Sequence, residues 1–430
     1  MSILLAIIIL VIALIIGIPA PFAFASSIIY LILKEGIQTS VLYPYAYSQM
    51  STTIILAIPL FIMAGQIMHK GGIASHLINL IELLIGRIKG GLGVVIIFSS
   101  AVFGSITGSA VATLVTIGSI MLPRLKESGY SRGYASALIA NASVLGMLIP
   151  PSTIMILYAW VSKQSVLASF LSTIVPGIIL IILLIFVNMV LIRNQDIKVA
   201  DRISFSELQK QFGKQSIKAT PALFLPVFVL GGIYGGIMTP TEAAAVSALY
   251  SIPIALFIYK GLTVKGLKKI FIESAVTTGV IMLMLFTITM LNRLYIMLNL
   301  PEEILNLLMK ISEQKVVLLL LINLFMILIG CLMDDMSATV LAAPMLLPVV
   351  VALGVDPIQF AAILAINLGM GLVTPPTAPL LFISGNLGNV PLYEMLKPTL
   401  MMILFAWLPT LLITTYIPEV SLFLPYLLLK

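Results

Sequence analysis

The sequence predicts an all-α polytopic membrane protein built on two inverted repeats, each with a re-entrant helical hairpin and a broken helix. Three observations carry this. The 430-residue chain is 60% hydrophobic and only 9% charged, where a soluble protein carries about 25% charged residues, so lipid must serve as its solvent. Two segments share landmarks at a near-constant spacing. The loops after those landmarks carry opposite charge bias.

Composition also removes several classes. The net charge of +7 sits in short segments between apolar runs, the positive-inside pattern that orients helices. No basic soluble domain is present, so nucleic acid is not an expected partner. Cys331 is the single cysteine; no intrachain disulfide forms, and it reads as an inert small hydrophobe. His69 and His76 have no third ligand beside them, so no transition metal is expected. No GxxxxGK[ST] loop occurs, so the chain is not expected to hydrolyse ATP.

Ala23-Phe24-Ala25 mimics a signal-peptide cleavage site. No Lys or Arg precedes it, and the apolar run exceeds a signal core. Residues 3–33 are therefore read as a retained membrane segment, bent or divided near Pro19 and Pro21. Further spans are expected at 54–68, 133–160, 167–192, 271–298 and 399–417. Residues 219–259 hold two spans turning at Thr239-Pro240-Thr241-Glu242, where Glu242 suits a helix N-terminus. Residues 358–390 hold one span interrupted at Thr374-Pro375-Pro376, and the runs 92–123 and 315–348 each break midway. Residues 75–88 read as an amphipathic interfacial helix.

The one long polar connection, 193–218, carries Arg193, Lys198, Arg202, Lys210, Lys214 and Lys218 against Asp196, Asp201 and Glu207. It is expected on the cytoplasmic side, as is the cluster Lys260, Lys265, Lys268 and Lys269. Gly231, Gly232, Gly235 and Gly236 form two overlapping GxxxG pairs, which suit helix-on-helix packing.

The repeat relates 104–151 to 330–376. Ala112-Thr113 matches Ala338-Thr339 at a spacing of 226. Pro123 matches Pro348, Gly129 matches Gly354, and Pro150-Pro151 matches Pro375-Pro376, each at 225. The loop after the first polar break holds Arg124, Lys126 and Arg132 with one acid, Glu127, whereas its counterpart at 348–357 holds only Asp356. The first loop is therefore cytoplasmic and the second is not. Related units of opposite sense are an architecture of secondary transporters.

Each unit offers two interruptions. The hairpin tips hold Gly104, Ser105, Thr107, Gly108, Ser109 and Thr113 in one unit and Asp334, Asp335, Ser337 and Thr339 in the other. The helix breaks are Pro150-Pro151-Ser152 and Pro375-Pro376-Thr377, where proline removes a donor and obstructs the preceding turn. Unsatisfied backbone at membrane depth is tolerated where it lines a cavity. Carbonyl and hydroxyl oxygens suit a hard cation, and helix N-termini suit an anion. Two cation sites flanking an anion site are expected, with Ser109, Ser152, Asp335, Ser337 and Thr377 as candidate anion contacts. A carboxylate at membrane depth costs about 2.5–3.5 kcal/mol, so the adjacent pair Asp334-Asp335 needs a function.

The segments GGIYGGIMTPTEAAAVSALY (231–250), FGSITGSAVAT (103–113) and MDDMSATVLAAPMLLPVVVALGVDPIQFAAILAINLGMGLVTPPTAPLLF (333–382) resemble the large membrane subunit of TRAP (tripartite ATP-independent periplasmic) transporters. The resemblance covers nearly the whole chain. It implies an elevator-type transporter of the ion transporter superfamily, in a bacterial or archaeal inner membrane, importing an organic acid anion with a sodium gradient. Its implied partners are an extracytoplasmic solute-binding protein and a small four-helix membrane subunit, the latter a separate polypeptide. Sodium ions are the coupling ions and no cofactor is implied. The implied sodium ligands fall on Ser105, Gly108, Thr113, Asn141 and Pro150, and on Asp334, Thr339, Gly371, Thr374 and Pro376.

On this basis residues 1–90 are expected to form N-terminal scaffold helices. Residues 91–192 form the first repeat of a transport domain, 193–300 a cytoplasmic loop and further scaffold, 301–398 the second repeat, and 399–430 a C-terminal helix. Two competing readings are a stand-alone sodium–carboxylate symporter and a non-transport subunit of a respiratory complex. The latter class buries Lys and Glu mid-helix, and here acids and bases largely avoid span centres. A membrane-embedded enzyme has no paired acid–base constellation to support it.

Overall fold

The computed structural model describes residues 2–193, 195–199 and 204–429, and every regular element among them is helical. Eight of the described helices are long and apolar enough to cross a membrane, and a ninth span forms if the bent pair 132–148 and 153–162 counts as one. The chain is a multi-pass membrane protein.

Residues 3–33 divide rather than bend. Helices Ser2–Ile15 and Ala20–Glu35 pack against each other, and Ser27 Oγ donates to the Ala6 carbonyl at 3.0 Å. Gly17, at φ 90°, makes the reversal without Cβ strain. Pro21 lies in the first turn of the second helix, where a missing N–H costs little.

The expected polar connection is partly helix. A 30-residue helix, Phe205–Tyr234, begins inside it, with Ser204 Oγ accepting from Glu207 N at 3.3 Å. Its first turns are charged because they stand in water, so the apolar run began only after the helix did. Asp201 and Arg202 lie outside the described residues. The GxxxG pairs do not join helices of this chain. Gly231 and Gly236 face open space, a Cβ on Gly232 would meet Met238, and Gly236 supplies the left-handed turn that closes the helix. The next helix, Pro240–Pro253, opens with the expected capping box: Thr239 and Glu242 bond each other's backbone.

Three helices were not legible as elements: Leu42–Met50, Leu300–Ile311 and Pro418–Leu428. Leu300–Ile311 is the counterpart of Ile73–Ile85, because each amphipathic helix precedes one hairpin.

The two repeats then run in the same order. The first comprises Gly91–Thr107, Ala110–Glu127, the pair Arg132–Ser143 and Leu145–Leu148, Thr153–Ser162 and Val166–Ile192. The second comprises Lys315–Leu332, Asp335–Ala352, Pro357–Leu372, Pro379–Gly388 and Leu392–Met402, which continues through a π turn into Leu408–Tyr416, so the bound expected at 398 falls inside one continuous span. Packing between them is crossed. Thr153–Ser162 lies against Asp335–Ala352, while Pro379–Gly388 lies against Ala110–Glu127 and Arg132–Ser143. Each hairpin therefore packs its outgoing helix on the far half of the other repeat's broken helix.

Candidate functional site

Both hairpins turn in two residues. Gly108, at φ 62°, ends Gly91–Thr107, and Ser109 caps the next helix by accepting from Ala112 N at 3.4 Å. In the second hairpin Asp334 is the cap: Oδ2 accepts from Ser337 N at 3.0 Å, and Oδ1 accepts from Ser337 Oγ. Asp334 thus stands where the first hairpin has Ser109. The spacing of 226 that relates Ala112-Thr113 to Ala338-Thr339 pairs Asp334-Asp335 with Gly108-Ser109, and the tip geometry shifts this by one. Asp335 becomes the first helical residue, where an acid suits the positive helix end.

Each tip rests on its own repeat's break, through backbone contact that only glycine allows. A Cβ on Gly104 would fall 2.2 Å from Gly146 Cα, and one on Gly371 would fall 2.7 Å from Gly330 Cα. The two glycine pairs are equivalent in the two repeats.

The first tip and break form a buried cluster of oxygens. Gly108 carbonyl accepts from Thr153 Oγ1 at 2.8 Å and from Thr153 N at 3.3 Å. Thr107 Oγ1 and Thr113 Oγ1 are 3.2 Å apart. The space a Gly146 side chain would take is bounded by Thr113 Oγ1 and the Ser109 carbonyl. Ser152 Oγ donates to the Met147 carbonyl at 2.6 Å. Of the predicted residues, Gly108, Ser109, Thr113 and Ser152 come together here, with Pro151 rather than Pro150 against Gly108. Ser105 Oγ turns back to the Val102 carbonyl. Asn141 is engaged elsewhere: Oδ1 accepts from Trp407 Nε1 at 3.0 Å and Nδ2 donates to the Ala137 carbonyl.

The second tip and break are more open. Asp334, Pro376 and Thr377 are exposed, whereas Pro150, Pro151 and Ser152 are buried. Thr374 Oγ1 donates to the Met370 carbonyl and Thr339 Oγ1 to the Asp335 carbonyl, so both hydroxyls satisfy their own helices. Ser337 is buried against Met284, and Gly371 against Gly330.

Sequence reasoning missed several participants. Cys331, read as inert, donates through Sγ to the Thr374 carbonyl at 3.4 Å and joins the second tip to its break. Thr153 joins the first tip to its break. Deeper in the second repeat, Asn367 Nδ2 donates to Asn323 Oδ1, and Asn323 Nδ2 to Thr415 Oγ1. The signal for Thr153 was its place beside Pro150-Pro151-Ser152; the others are long-range pairs. His69 Nδ1 bonds Thr116 Oγ1 at 2.6 Å, linking Ala57–Lys70 to the first hairpin, and His76 stacks on Tyr259 with centroids 4.4 Å apart.

Helices Ala110–Glu127, Thr153–Ser162 and Asp335–Ala352 begin at these tips and breaks, and Pro379–Gly388 begins just past the second break. The arrangement therefore offers positive helix ends to an anion and a carbonyl–hydroxyl cluster to a hard cation.

The model for the tripartite ATP-independent periplasmic transporter, DctM component, matches residues 3–420. The chain is 34% identical to the C4-dicarboxylate TRAP transporter large permease protein DctM of Pseudomonas aeruginosa, covering 86% of each chain. It is 32% identical to the sialic acid large permease SiaM of Vibrio cholerae, covering 87% of each. It is 33% identical to the isethionate permease DctMQ of Oleidesulfovibrio alaskensis, over 95% of this chain and 64% of that one. Among solved structures, the YdaH transporter of Alcanivorax borkumensis shares the fold, with TM-score 0.60, 15% identity and coverage of 89% and 88%.

Proposed function

Because the chain belongs to the DctM family of tripartite ATP-independent periplasmic transporters, it is a permease subunit of the inner membrane, and we propose that it imports an organic acid anion on a sodium gradient. The anion is handed over by an extracytoplasmic solute-binding protein. A small four-helix membrane subunit completes the scaffold; the isethionate permease DctMQ, whose chain extends well beyond the length matched here, supports this partner.

The observation that supports the reading best is the pairing of helix ends with oxygens at each tip and break. Partial positive charge there offsets the cost of bringing a carboxylate into the membrane. The buried cluster of Thr107, Thr113, the Gly108 carbonyl and Ser152 suits sodium in the first repeat. In the second, Asp334 adds a formal charge, with Thr339, Gly371, Thr374 and Pro376 around the break. Of the expected anion contacts, Ser109 and Thr377 face the anion, whereas Ser152 and Ser337 are buried with their hydroxyls on the Met147 carbonyl and Asp334, and the Asp335 carboxylate accepts from Met336 N. The two repeats move together past scaffold helices that include Ala57–Lys70 and Val264–Met297, an elevator-type motion. Bonds such as His69–Thr116 and Asn292 Nδ2 to the Val340 carbonyl (2.6 Å) join hairpin to scaffold in this conformation.

The test is uptake into proteoliposomes holding both membrane subunits, with the binding protein outside and its ligand identified by thermal shift. Uptake is expected to require both the binding protein and inward sodium. Uptake driven equally by a proton gradient without sodium refutes the coupling. Uptake without the binding protein selects the stand-alone symporter.

A further inference from the structure

A second feature lies away from the tips, at the cytoplasmic end of the repeats. A cavity of about 590 Å³ opens between Ala110–Glu127, the start of Arg132–Ser143, and the end of Pro379–Gly388. Both repeats thus build it. The residues lining it include two cations, Lys126 and Arg132, and no carboxylate. Its other polar lining comes from Ser119, Tyr130, Ser136 and Asn389.

Two details distinguish this cavity from an ordinary positive-inside loop. Ser136 is fully buried on its wall, and its hydroxyl has no hydrogen-bond partner. A buried unpartnered hydroxyl carries a desolvation cost that a ligand oxygen would remove. Arg132 is the first residue of its helix, where positive charge opposes the helix dipole, and the Ser131 side chain makes no capping bond there. An anion seated beside Arg132 meets the cation and the helix end together.

We infer that this cavity binds a small oxyanion, held by Lys126, Arg132 and Ser136. The chemistry is that of a carboxylate or a phosphate, supplied either by cargo leaving the central breaks or by a lipid headgroup. As an exit station it rests on the transport reading, because the outgoing helices Ala110–Glu127 and Pro379–Gly388 lead from tip and break to this mouth. A station here lowers the cost of releasing the anion towards a cytoplasm facing positive loops, and a high-affinity site would retard release.

The experiment uses Ser119→Cys in the full chain, in phosphatidylcholine nanodiscs with the small subunit. Wild type serves as the control, since its single cysteine, Cys331, is buried. Maleimide alkylation of Ser119→Cys is followed in sodium chloride, sodium succinate and sodium phosphate at equal ionic strength. Succinate or phosphate is expected to slow alkylation several-fold, and the protection is expected to vanish in Lys126→Gln/Arg132→Gln. Protection only when phosphatidylglycerol replaces phosphatidylcholine, again lost in the double variant, supports the same site with a headgroup as its occupant. Equal rates in every medium, or protection that survives the double variant, overturn the inference. Sodium-driven uptake by the wild-type complex is measured alongside, so failure here with uptake intact leaves the transport reading standing.

Discussion

Gly104 and Gly146 touch backbone to backbone: a methyl group on Gly104 would fall 2.2 Å from the Gly146 Cα. Gly330 and Gly371 repeat the contact in the other unit. The hairpin tips are seated on the helix breaks by the absence of side chains, and this seating brings the Gly108 carbonyl to Thr153.

Gly104→Ala and Gly371→Ala are therefore expected to lift a tip from its break. Overpacking costs about 1–3 kcal/mol when side chains can shift, and here the opposing atoms are backbone. Transport is expected to fall at least about tenfold, the equivalent of 1.4 kcal/mol, with membrane insertion retained. Gly231→Ala, which meets open space, is the control. Transport at wild-type rate in the first two variants would show that close seating is unnecessary.

Asp334 combines a cap with a charge, and two substitutions separate them. Asparagine caps a helix about as well as aspartate, whereas alanine costs about 0.5–2 kcal/mol. Asp334→Asn is expected to keep thermal stability and raise the sodium concentration for half-maximal uptake. Asp334→Ala is expected to lower both stability and sodium affinity. Thr339→Ala is expected to weaken sodium dependence also. Unchanged sodium dependence in Asp334→Asn and Thr339→Ala removes both from the cation site.

Asn141 and Trp407 present a choice between ligand and strut. Asn141→Ala leaves the buried Trp407 Nε1 unpaired, which costs about 1–3 kcal/mol, and Trp407→Phe removes the same bond from the other side. If Asn141 also faces sodium, Asn141→Ala weakens sodium affinity and Trp407→Phe does not. Equal effects on sodium affinity would make Asn141 a strut only.

His76, on the amphipathic helix Ile73–Ile85, stacks on Tyr259, and Tyr259 Oη donates to the Lys218 carbonyl. Burial first, and the nearby Lys218 charge second, hold His76 below its ordinary 6.5. The unfolded chain then binds more protons than the folded one, so stability rises with pH through this window. The contribution is fully present above 6.5 and is lost as pH falls below it. Melting temperatures measured from about pH 7.5 to about pH 5.5 are expected to fall on acidification, and His76→Phe is expected to flatten that slope. An equally steep slope in His76→Phe assigns the sensitivity to another group.

The breaks were legible because chain interruption is a local property. Gly108, Pro150-Pro151 and Pro375-Pro376 end helices through their own covalent geometry, and the two units carry them in matching places. Thr239 and Glu242 formed the expected capping box for the same reason. Leu300–Ile311 was harder to see, since its amphipathic pattern spans only three turns between two apolar runs. The start of Phe205–Tyr234 was hidden by charge, because a helix in water and a loop in water have similar composition.

The sequence by itself determined that this chain lives in lipid, that it repeats, and where its helices break. Those depend on hydropathy, glycine and proline, all readable along one dimension. Tertiary structure alone decided that the repeats cross-pack, that Asp334 rather than Asp335 caps the second tip, that Asn141 meets Trp407, and that Cys331 meets Thr374. Apart from the one-residue register at the tip, these are pairings between residues far apart in the chain. Close packing selects such pairs from many chemically similar candidates, and no local pattern marks the one that is chosen.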